Sequence, residues 1–517
     1  MKRFNTAGTC FPHRHYMVKI DRQVDAAVTL VRQGDYFCIN RGRQYGKTTT
    51  LAVLDDKLSS EFTVFSISFE GLGDSTFATV EGICAEFLKI LQLHSTVNGA
   101  NEEVKSILKE VVPRGCKEIS LTEFKRTVVE LCSASDKPLV VFIDEVDQAS
   151  NNDSFIKFLG LLRNMFLVRD EIPTFQSVVL AGVYDVKNLK LKIRSDEDHQ
   201  YNSPWNIAVS FDVDMSLHAD GIAGMLDDYA SEHNIQFDTT AIGQLIYDYT
   251  SGYPFLVSRL CQIIDTKELE WSEQGVLKAV NLLLKESNTL FDDMQKKLTQ
   301  FPNLERILRE IIFSGKRVSY NYYDKDINIA VLFNFVKEHE GATAISCRIF
   351  ETWLYNYFIS NDKSTDIYQN GEYDKSQFIR EGYLDMRHLL ERFCIHFNEI
   401  YHPGHDDKFV EANGRKIFLT YLRPIINGIG NYYCEAQTRD LTRTDVVIDY
   451  RGQQYVIELK IWRGEAYNER GEEQLAEYLD YFHLDTGYML SFCFNKNKQP
   501  GIHEVKVGNR TIIEAIV

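Results

Sequence analysis

The chain has 517 residues, of which 44% are hydrophobic and 12% aromatic; this is enough for about three packed domains and excludes a mostly disordered polypeptide. Its 57 lysines and arginines against 74 aspartates and glutamates give a formal charge of −17, which argues against a protein that coats nucleic acid through a general basic field. No run approaches 18 apolar residues, and the first residues lack the apolar core of a signal peptide, so we expect a soluble cytoplasmic protein with no membrane partner.

The ten cysteines are scattered between Cys10 and Cys493, without a Cys-x-x-Cys pair or another spacing typical of metal ligands. In a long chain without a signal peptide, this distribution predicts reduced and mostly buried thiols. A zinc site is therefore not expected.

Between about residues 20 and 210, short apolar runs alternate with stretches of helical periodicity. Continuous apolar runs are typical of strands that are buried on both faces of a parallel sheet. The region is therefore predicted to be α/β and doubly wound, with helices on both sides of the sheet. The predicted strands are 36–39, 62–67, 139–143 and 177–181.

The rest of the chain divides where its pattern changes. The period is helical over 215–300, and the helices and short segments of 301–404 are compatible with a winged-helix-like connector that has its best linker candidate at 362–366. A second α/β pattern follows after about 405. We expect four regions, 1–214, 215–300, 301–404 and 405–517, and the strands predicted in the last lie near 432–436, 445–450, 455–460 and 488–494.

A glycine-rich loop follows the first predicted strand, and it ends in Gly46-Lys47-Thr48, the end of the phosphate-binding pattern G-x-x-x-x-G-K-[ST]. In that chemistry the glycine admits backbone N–H groups to the phosphates, the lysine reaches the β and γ oxygens, and the threonine hydroxyl ligates Mg²⁺. Arg41 replaces the first glycine, which comes one residue later, so the loop alone could also be a plain glycine turn. The predicted nucleotide contacts are Gly42, Arg43, Gln44, Tyr45, Gly46, Lys47, Thr48 and Thr49.

A pair of acids follows the third predicted strand at Asp144 and Glu145. At the carboxyl end of a buried strand, Asp144 would join Thr48 as a ligand of Mg²⁺, and Glu145 would be the base that activates water. Acids in a solvated turn are the alternative, which the upstream loop disfavours. The two motifs together predict a site for ATP and Mg²⁺.

Residues 10–265 resemble the AAA-like ATPases near the STAND group of P-loop proteins. In many of these, Arg-Gln-x-Gly-Lys-Thr replaces the glycine-first loop, as it does over 43–48, and the later run 251–256 is similar to their Gly-x-Pro element. The resemblance implies that a helical lid over 215–300 folds over the nucleotide. It also implies a sensor residue just past 180–182, for which Tyr184, Asp185 and Arg194 are candidates.

A second set of charged residues lies near the C-terminus, where Asp445 opens one predicted strand and Glu458 and Lys460 end the next. Residues i and i+2 of a strand share a face, so the glutamate and the lysine point the same way. With a turn at 450–453, the two acids would form a Mg²⁺ site, and the lysine would orient or deprotonate the attacking water. By itself, the triple is more typical of a solvated hairpin, because charged pairs on exposed strands are common.

The flanking residues extend this pattern: Gln474 lies on the following helix, with Tyr478 one turn later, and Glu411 starts the preceding helix. Residues 405–495 resemble the PD-(D/E)xK nuclease superfamily, in the variety attached to AAA-like ATPases. The resemblance implies a restriction-endonuclease-like fold in which Asp445 and Glu458 are metal ligands and Lys460 is the catalytic lysine. It further implies that Gln474 supports the phosphate or water and that Glu411 is an outer metal partner. Thr444 stands in place of the usual proline, and Glu435 could assist or form a structural salt bridge.

The leading hypothesis is an ATPase in which nucleotide binding and hydrolysis gate a Mg²⁺-dependent nuclease domain, with DNA as substrate and a homo-oligomer possible. By analogy with other P-loop ATPases that carry effector domains, defence against foreign DNA is a plausible role. Two alternatives remain open. One is a nucleotide-dependent switch whose C-terminal domain binds nucleic acid or a partner without cleaving it, and the other is a nuclease that binds ATP but barely hydrolyses it.

Overall fold

The computed structural model describes residues 2–112, 117–149, 152–183, 205–313, 318–321, 323–361, 366–400, 411–426, 429–437, 443–462, 465–494 and 500–517. Contacts between Cα atoms divide the chain into two compact units. The first comprises Met1–Leu217, Tyr253–Ser258 and Leu332–Asn334; the second comprises His218–Gly252, Arg259–Val331 and Phe335–Val517.

The first unit is built around a parallel sheet with the strand order β4-β5-β6-β3-β7. Its strands are β3 (Phe37–Asn40), β4 (Thr63–Ser68), β5 (Leu139–Asp144), β6 (Ser177–Gly182) and β7 (Val209–Ser210), and a two-residue parallel pair, β1 (Arg3–Phe4) and β2 (His15–Tyr16), precedes them. Its helices are α1 (Asp21–Gln33), α2 (Lys47–Leu58), α3 (Val80–His94), α4 (Glu102–Val111), α5 (Leu121–Ala134) and α6 (Asp153–Leu167).

Alternate residues of each strand enter different hydrophobic cores. Phe37 and Ile39 pack with side chains of α1 and α2 on one face, while Cys38 packs with α3 to α6 on the other. All six residues of β5 are buried. This arrangement explains the continuous apolar runs, and the predicted doubly wound parallel sheet is confirmed, with each of the four predicted strands within one residue of its observed bounds.

The helices from residue 219 onward are α7 (Ala219–His233), α8 (Thr239–Thr250), α9 (Pro254–Thr266), α10 (Glu273–Leu284), α11 (Thr289–Gln300), α12 (Pro302–Phe313), α13 (Lys325–Leu332), α14 (Arg348–Asn361), α15 (Asp366–Asp374), α16 (Met386–Ile400), α17 (Glu411–Ile426) and α18 (Glu465–Tyr481). Between α13 and α14 lies an antiparallel hairpin, β8 (Val336–His339) and β9 (Ala342–Ile345). The winged-helix-like connector over 301–404 remains a prediction. Of the predicted linker, residues 362–365 lie outside the described residues, and Asp366 begins a helix instead.

The second unit contains a six-stranded mixed sheet in the order β12-β13-β14-β15-β17-β16. The strands are β12 (Gly430–Gln437), β13 (Arg443–Tyr450), β14 (Gln453–Ile461), β15 (Thr486–Phe492), β16 (Gly501–Val507) and β17 (Arg510–Ile516); a short hairpin, β10 (Ile379–Arg380) and β11 (Tyr383–Leu384), precedes them. β13 and β14 form an antiparallel hairpin, and β14, β15 and β17 are parallel. The four strands predicted here are present, whereas β16 and β17 were not predicted.

Contacts within the second unit tie its helices to this sheet. The Tyr249 ring on α8 packs edge-on against the Tyr433 ring on β12, with centroids 5.2 Å apart, and the Arg348 guanidinium lies 4.3 Å from the Tyr249 centroid. The Asn281 amide on α10 donates to Asp449 on β13. Helices α8 and α10 therefore contact the C-terminal sheet through aromatic and polar side chains.

The eight cysteines whose environment the structure describes are free thiols, and five of them are buried: Cys38, Cys84, Cys261, Cys347 and Cys394. Among the helices of the described part, none is long and apolar enough to cross a lipid bilayer.

Candidate functional site

The glycine-rich loop connects β3 to α2 in the first unit. Gln44 and Gly46 adopt left-handed backbone conformations, with φ of 56° and 82°, and α2 begins at the next residue, Lys47. The Lys47 ammonium is buried and donates to the backbone oxygens of Arg41 and Gly42, at 3.0 Å each. The lysine therefore lies within the loop, where a bound phosphate is expected at the helix N-terminus.

The pKa of Lys47 depends on its burial and on three nearby carboxylates. Burial lowers the pKa of Lys47, and the carboxylates of Glu145, Asp147 and Asp144 oppose that shift. A buried ammonium needs such partners because an isolated charge is costly away from water.

The acidic strand β5 ends beside the start of α2. The Thr48 hydroxyl donates to Oδ2 of Asp144 at 2.6 Å, and Oδ1 of the same carboxylate accepts the Glu145 backbone N–H at 2.9 Å. The structure thus brings together two oxygen-bearing side chains that are 96 positions apart in the sequence. Hydroxyl and carboxylate oxygens are hard ligands, so the pair fits the coordination that Mg²⁺ prefers.

Glu145 follows the strand directly, in a left-handed conformation with φ of 53°. Burial raises the pKa of its carboxyl group, and the Lys47 charge partly offsets the shift. A glutamate with a raised pKa next to the phosphate loop is a suitable general base for water.

A third acid of this segment was not assigned a role from the sequence. Oδ2 of Asp147 accepts the Val183 backbone N–H at 2.6 Å, immediately after β6. Asp147 therefore fixes the end of the strand that lies between β3 and β5. The signal available in the sequence was only its spacing, three residues after Asp144.

The Gly-x-Pro element lies against the phosphate loop within the first unit. The Tyr253 hydroxyl donates to the backbone oxygen of Arg43 at 2.5 Å, and the Tyr253 and Tyr45 rings meet edge to face with centroids 4.9 Å apart. A Cβ placed on Gly46 would lie 3.8 Å from Cγ of Pro254. The element therefore contacts the phosphate loop directly, while its role in closing a lid over the nucleotide remains a prediction.

Thr49 and the three sensor candidates have different outcomes. Thr49 accepts the Cys10 backbone N–H through its hydroxyl at 3.1 Å, so its oxygen ties the N-terminal segment to the loop. The sensor candidates Tyr184, Asp185 and Arg194 lie outside the described residues.

Comparison with known proteins agrees with this geometry, since the AAA-like domain family matches residues 11–356, more than half of the chain. The chain belongs to the AAA-like domain family. Its residues 11–356 form an AAA-like P-loop ATPase domain. No functionally curated protein matches the sequence.

Solved structures similar to this AAA-like ATPase are distant in sequence. The Walker-type ATPase paby2304 of Pyrococcus abyssi is 13% identical with a TM-score of 0.46, covering 68% of this chain and 99% of its own. The Aeropyrum pernix ORC2 protein is 12% identical with a TM-score of 0.38, covering 66% and 94%. Cdc6p from Pyrobaculum aerophilum is 14% identical with a TM-score of 0.31, covering 69% and 97%.

The second set of predicted residues in this AAA-like ATPase lies on the C-terminal sheet. Glu458 and Lys460 on β14 form an ion pair with 2.7 Å between Oε1 and Nζ, and the glutamate is only 2% exposed. In the antiparallel ladder Val446 pairs with Ile457, which places the backbone of Asp445 beside that of Glu458. The side chains of Asp445, Glu435 and Glu411 lie outside the described part, although α17 begins at Glu411 as predicted.

Helix α18 covers the same face of this sheet. The Gln474 amide donates to the hydroxyl of Tyr478, one turn later, as the helical spacing predicted. A Cβ on Gly471 would lie 3.4 Å from Cε of Lys460, so the helix passes close above the lysine.

A buried polar network beneath α18 was not anticipated from the sequence. Oε1 of Glu514, on β17, accepts from the Asn468 amide at 2.9 Å and from the Ser491 hydroxyl at 2.6 Å. In the sequence, the only sign of this role is that Glu514 is a charged residue within an otherwise apolar strand. Within the described residues, no group of three or more His, Cys, Asp or Glu side chains has the arrangement of a metal site.

Proposed function

We propose that this AAA-like ATPase hydrolyses ATP with Mg²⁺ in its first unit. The observation that carries the proposal is the 2.6 Å hydrogen bond between Thr48 and Asp144, because a hydroxyl and a carboxylate that lie this close could both bind one Mg²⁺ ion. These two residues would hold the ion, which neutralises charge on the β and γ phosphates. Lys47 binds the same phosphates, and Glu145 accepts the proton of the attacking water.

ATP turnover by a Lys47→Ala variant tests this proposal. We expect phosphate release to fall to background, while Lys57→Ala, a substitution of an exposed lysine on the same helix, leaves it unchanged. Turnover by Lys47→Ala at the wild-type rate would overturn the assignment.

We further propose that the C-terminal sheet is a Mg²⁺-dependent phosphodiesterase of the PD-(D/E)xK type, with DNA as its substrate. The Glu458–Lys460 ion pair at 2.7 Å on the strand next to Asp445 supports it. Asp445 and Glu458 would hold the ion, with Glu411 as an outer partner, and the ion would lower the pKa of a bound water. Lys460 would orient that water or stabilise the developing charge, and Gln474 would support the phosphate.

Plasmid and linear DNA, incubated with the protein with and without Mg²⁺ and ATP, test the nuclease. We expect cleavage that requires Mg²⁺ and is lost in Lys460→Ala, with ATP turnover retained. Lys506→Ala, an exposed lysine on β16, serves as the control.

A nucleotide-dependent switch is the alternative function, in which the same sheet binds nucleic acid or a partner protein without cleaving it. The burial of the Glu458–Lys460 ion pair is the observation that favours this alternative, because a buried ion pair can have a purely structural role. The two functions differ in one outcome: the switch binds DNA with no metal-dependent cleavage in any of these conditions.

A further inference from the structure

The second residue of the phosphate loop, Gly42, is in contact with a residue nearly three hundred positions later. A Cβ placed on Gly42 would lie 2.1 Å from Nδ2 of Asn334, 3.1 Å from its Cγ and 3.7 Å from its Cβ. No side chain larger than hydrogen fits at position 42 while Asn334 keeps its place. The close approach of this amide therefore explains why a glycine stands at Gly42, one position after the glycine of the usual pattern.

Asn334 lies in the short connection between a helix and a strand. It follows α13, which ends at Leu332, and precedes β8, which begins at Val336, and its backbone is left-handed with φ of 58°. Asparagine tolerates this conformation better than most residues. The segment Leu332–Asn334 belongs to the same compact unit as the phosphate loop.

The amide nitrogen of Asn334 is buried and has no hydrogen-bond partner among the residues that the structure describes. A buried donor without an acceptor is unfavourable, so a ligand that supplies an acceptor there is favoured. The backbone oxygen of Gly42 accepts from Nζ of Lys47 at 3.0 Å, which puts the amide near the end of the lysine that reaches the β and γ phosphates.

We propose that Asn334 is a nucleotide-binding residue beside the phosphate loop and that its amide donates to a β- or γ-phosphate oxygen of a bound nucleoside triphosphate. This inference rests on the proposed ATP site and adds a residue that lies outside its two sequence motifs. A neutral amide contributes a donor without adding charge, and a hydrogen bond to an anionic oxygen is stronger than one to a neutral acceptor.

Nucleotide titration of two variants tests the proposal. For Asn334→Ala we expect ATP to bind about tenfold more weakly, and for Asn334→Asp about a hundredfold, because a carboxylate of the same shape repels the phosphate. Asn328→Ala, on α13 of the same region, is the control and should bind ATP as the wild type does. Wild-type affinity in both Asn334 variants, or equal losses in the two, overturns the proposal.

Thermal unfolding without nucleotide separates binding from folding. Gly42→Ala is expected to lower the Tm because its Cβ meets the Asn334 amide, and adding Asn334→Ala should restore it, since the remaining contact would be 3.7 Å. Absence of this rescue would contradict the geometry itself. Background ATP turnover in Lys47→Ala together with unchanged ATP affinity in both Asn334 variants would refute this inference and leave the proposed ATPase intact.

Discussion

Glu145 combines a left-handed backbone with a carboxyl group whose pKa burial has raised. We predict that Glu145→Gln lowers kcat for ATP hydrolysis about 100-fold or more, because the amide cannot accept the proton of water. ATP affinity should change little, because Glu145 makes none of the proposed phosphate contacts. Phosphate release and nucleotide titration measure the two quantities.

Glu70 offers a matched control for this prediction. Its carboxylate is exposed and lies close enough to act on Glu145 electrostatically. Glu70→Gln should retain turnover, and an equal loss in both variants would show that local charge, rather than proton transfer, is responsible.

Asp55, on the helix that follows the phosphate loop, has its pKa raised to about 6 by burial and by the neighbouring Asp56 charge. The folded state therefore binds a proton that the unfolded state releases near pH 4, so the free energy of unfolding falls as pH rises from about 4 to 6. Asp55→Asn removes this loss, and we predict that it stabilises the protein by about 1 kcal/mol at pH 7.5, with no gain at pH 3.5.

Thermal or urea unfolding at the two pH values measures this difference. Asp56→Asn removes only the neighbouring charge and leaves the burial of Asp55, so it should give a smaller gain at pH 7.5 than Asp55→Asn. A gain for Asp55→Asn that is the same at both pH values would contradict the burial of an ionised carboxylate.

At the scale of the elements, the turn between β13 and β14 determines the geometry of this hairpin. Tyr450 pairs with Gln453, and the two residues between them, Arg451 and Gly452, have φ of 56° and 81°. Two left-handed residues form the type of turn that matches the twist of the strands. We predict that Gly452→Ala destabilises the protein by about 1 kcal/mol in urea unfolding, because alanine is strained at this φ.

Gly501 provides the comparison for that substitution. A Cβ at either glycine meets nothing within 4 Å, and only Gly452 of the two has a positive φ. Gly501→Ala should therefore leave the stability almost unchanged. Equal effects in the two variants would mean that the turn conformation contributes nothing.

The elements show what the sequence could and could not predict. The strands β3 to β6 and the acids of β5 were predictable, because burial on both faces leaves a continuous apolar run and the motifs are local. β17 was missed because Glu514 breaks its apolar run, and that glutamate is explained only by the helix above it.

The residues missed at the nucleotide site share one physical reason. Asn334 and Asp147 act through contacts with Gly42 and Val183, which lie far from them along the chain. Neither contact leaves a periodicity or a motif. The folded structure was needed to find them. Thr48 and Asp144, in contrast, belong to two sequence motifs that predicted their proximity.

At the scale of the whole molecule, the proposed function joins an ATPase to a nuclease. If ATP gates cleavage, Lys47→Ala should remove the ATP-dependent part of DNA cleavage, whereas Lys460→Ala should leave ATP turnover intact. Plasmid cleavage and phosphate release, measured on the full chain, check the two halves of this prediction. Undiminished ATP-stimulated cleavage in Lys47→Ala would show that the two activities are independent.

The position of β5 has a consequence for local opening of the protein. All six of its residues are buried and it is hydrogen-bonded on both sides, to β4 and β6. Amide hydrogens in such a strand exchange with solvent mainly through global unfolding. Asp144 is the last residue of this strand, so we expect its carboxylate to be anchored to one of the slowly exchanging parts of the first unit.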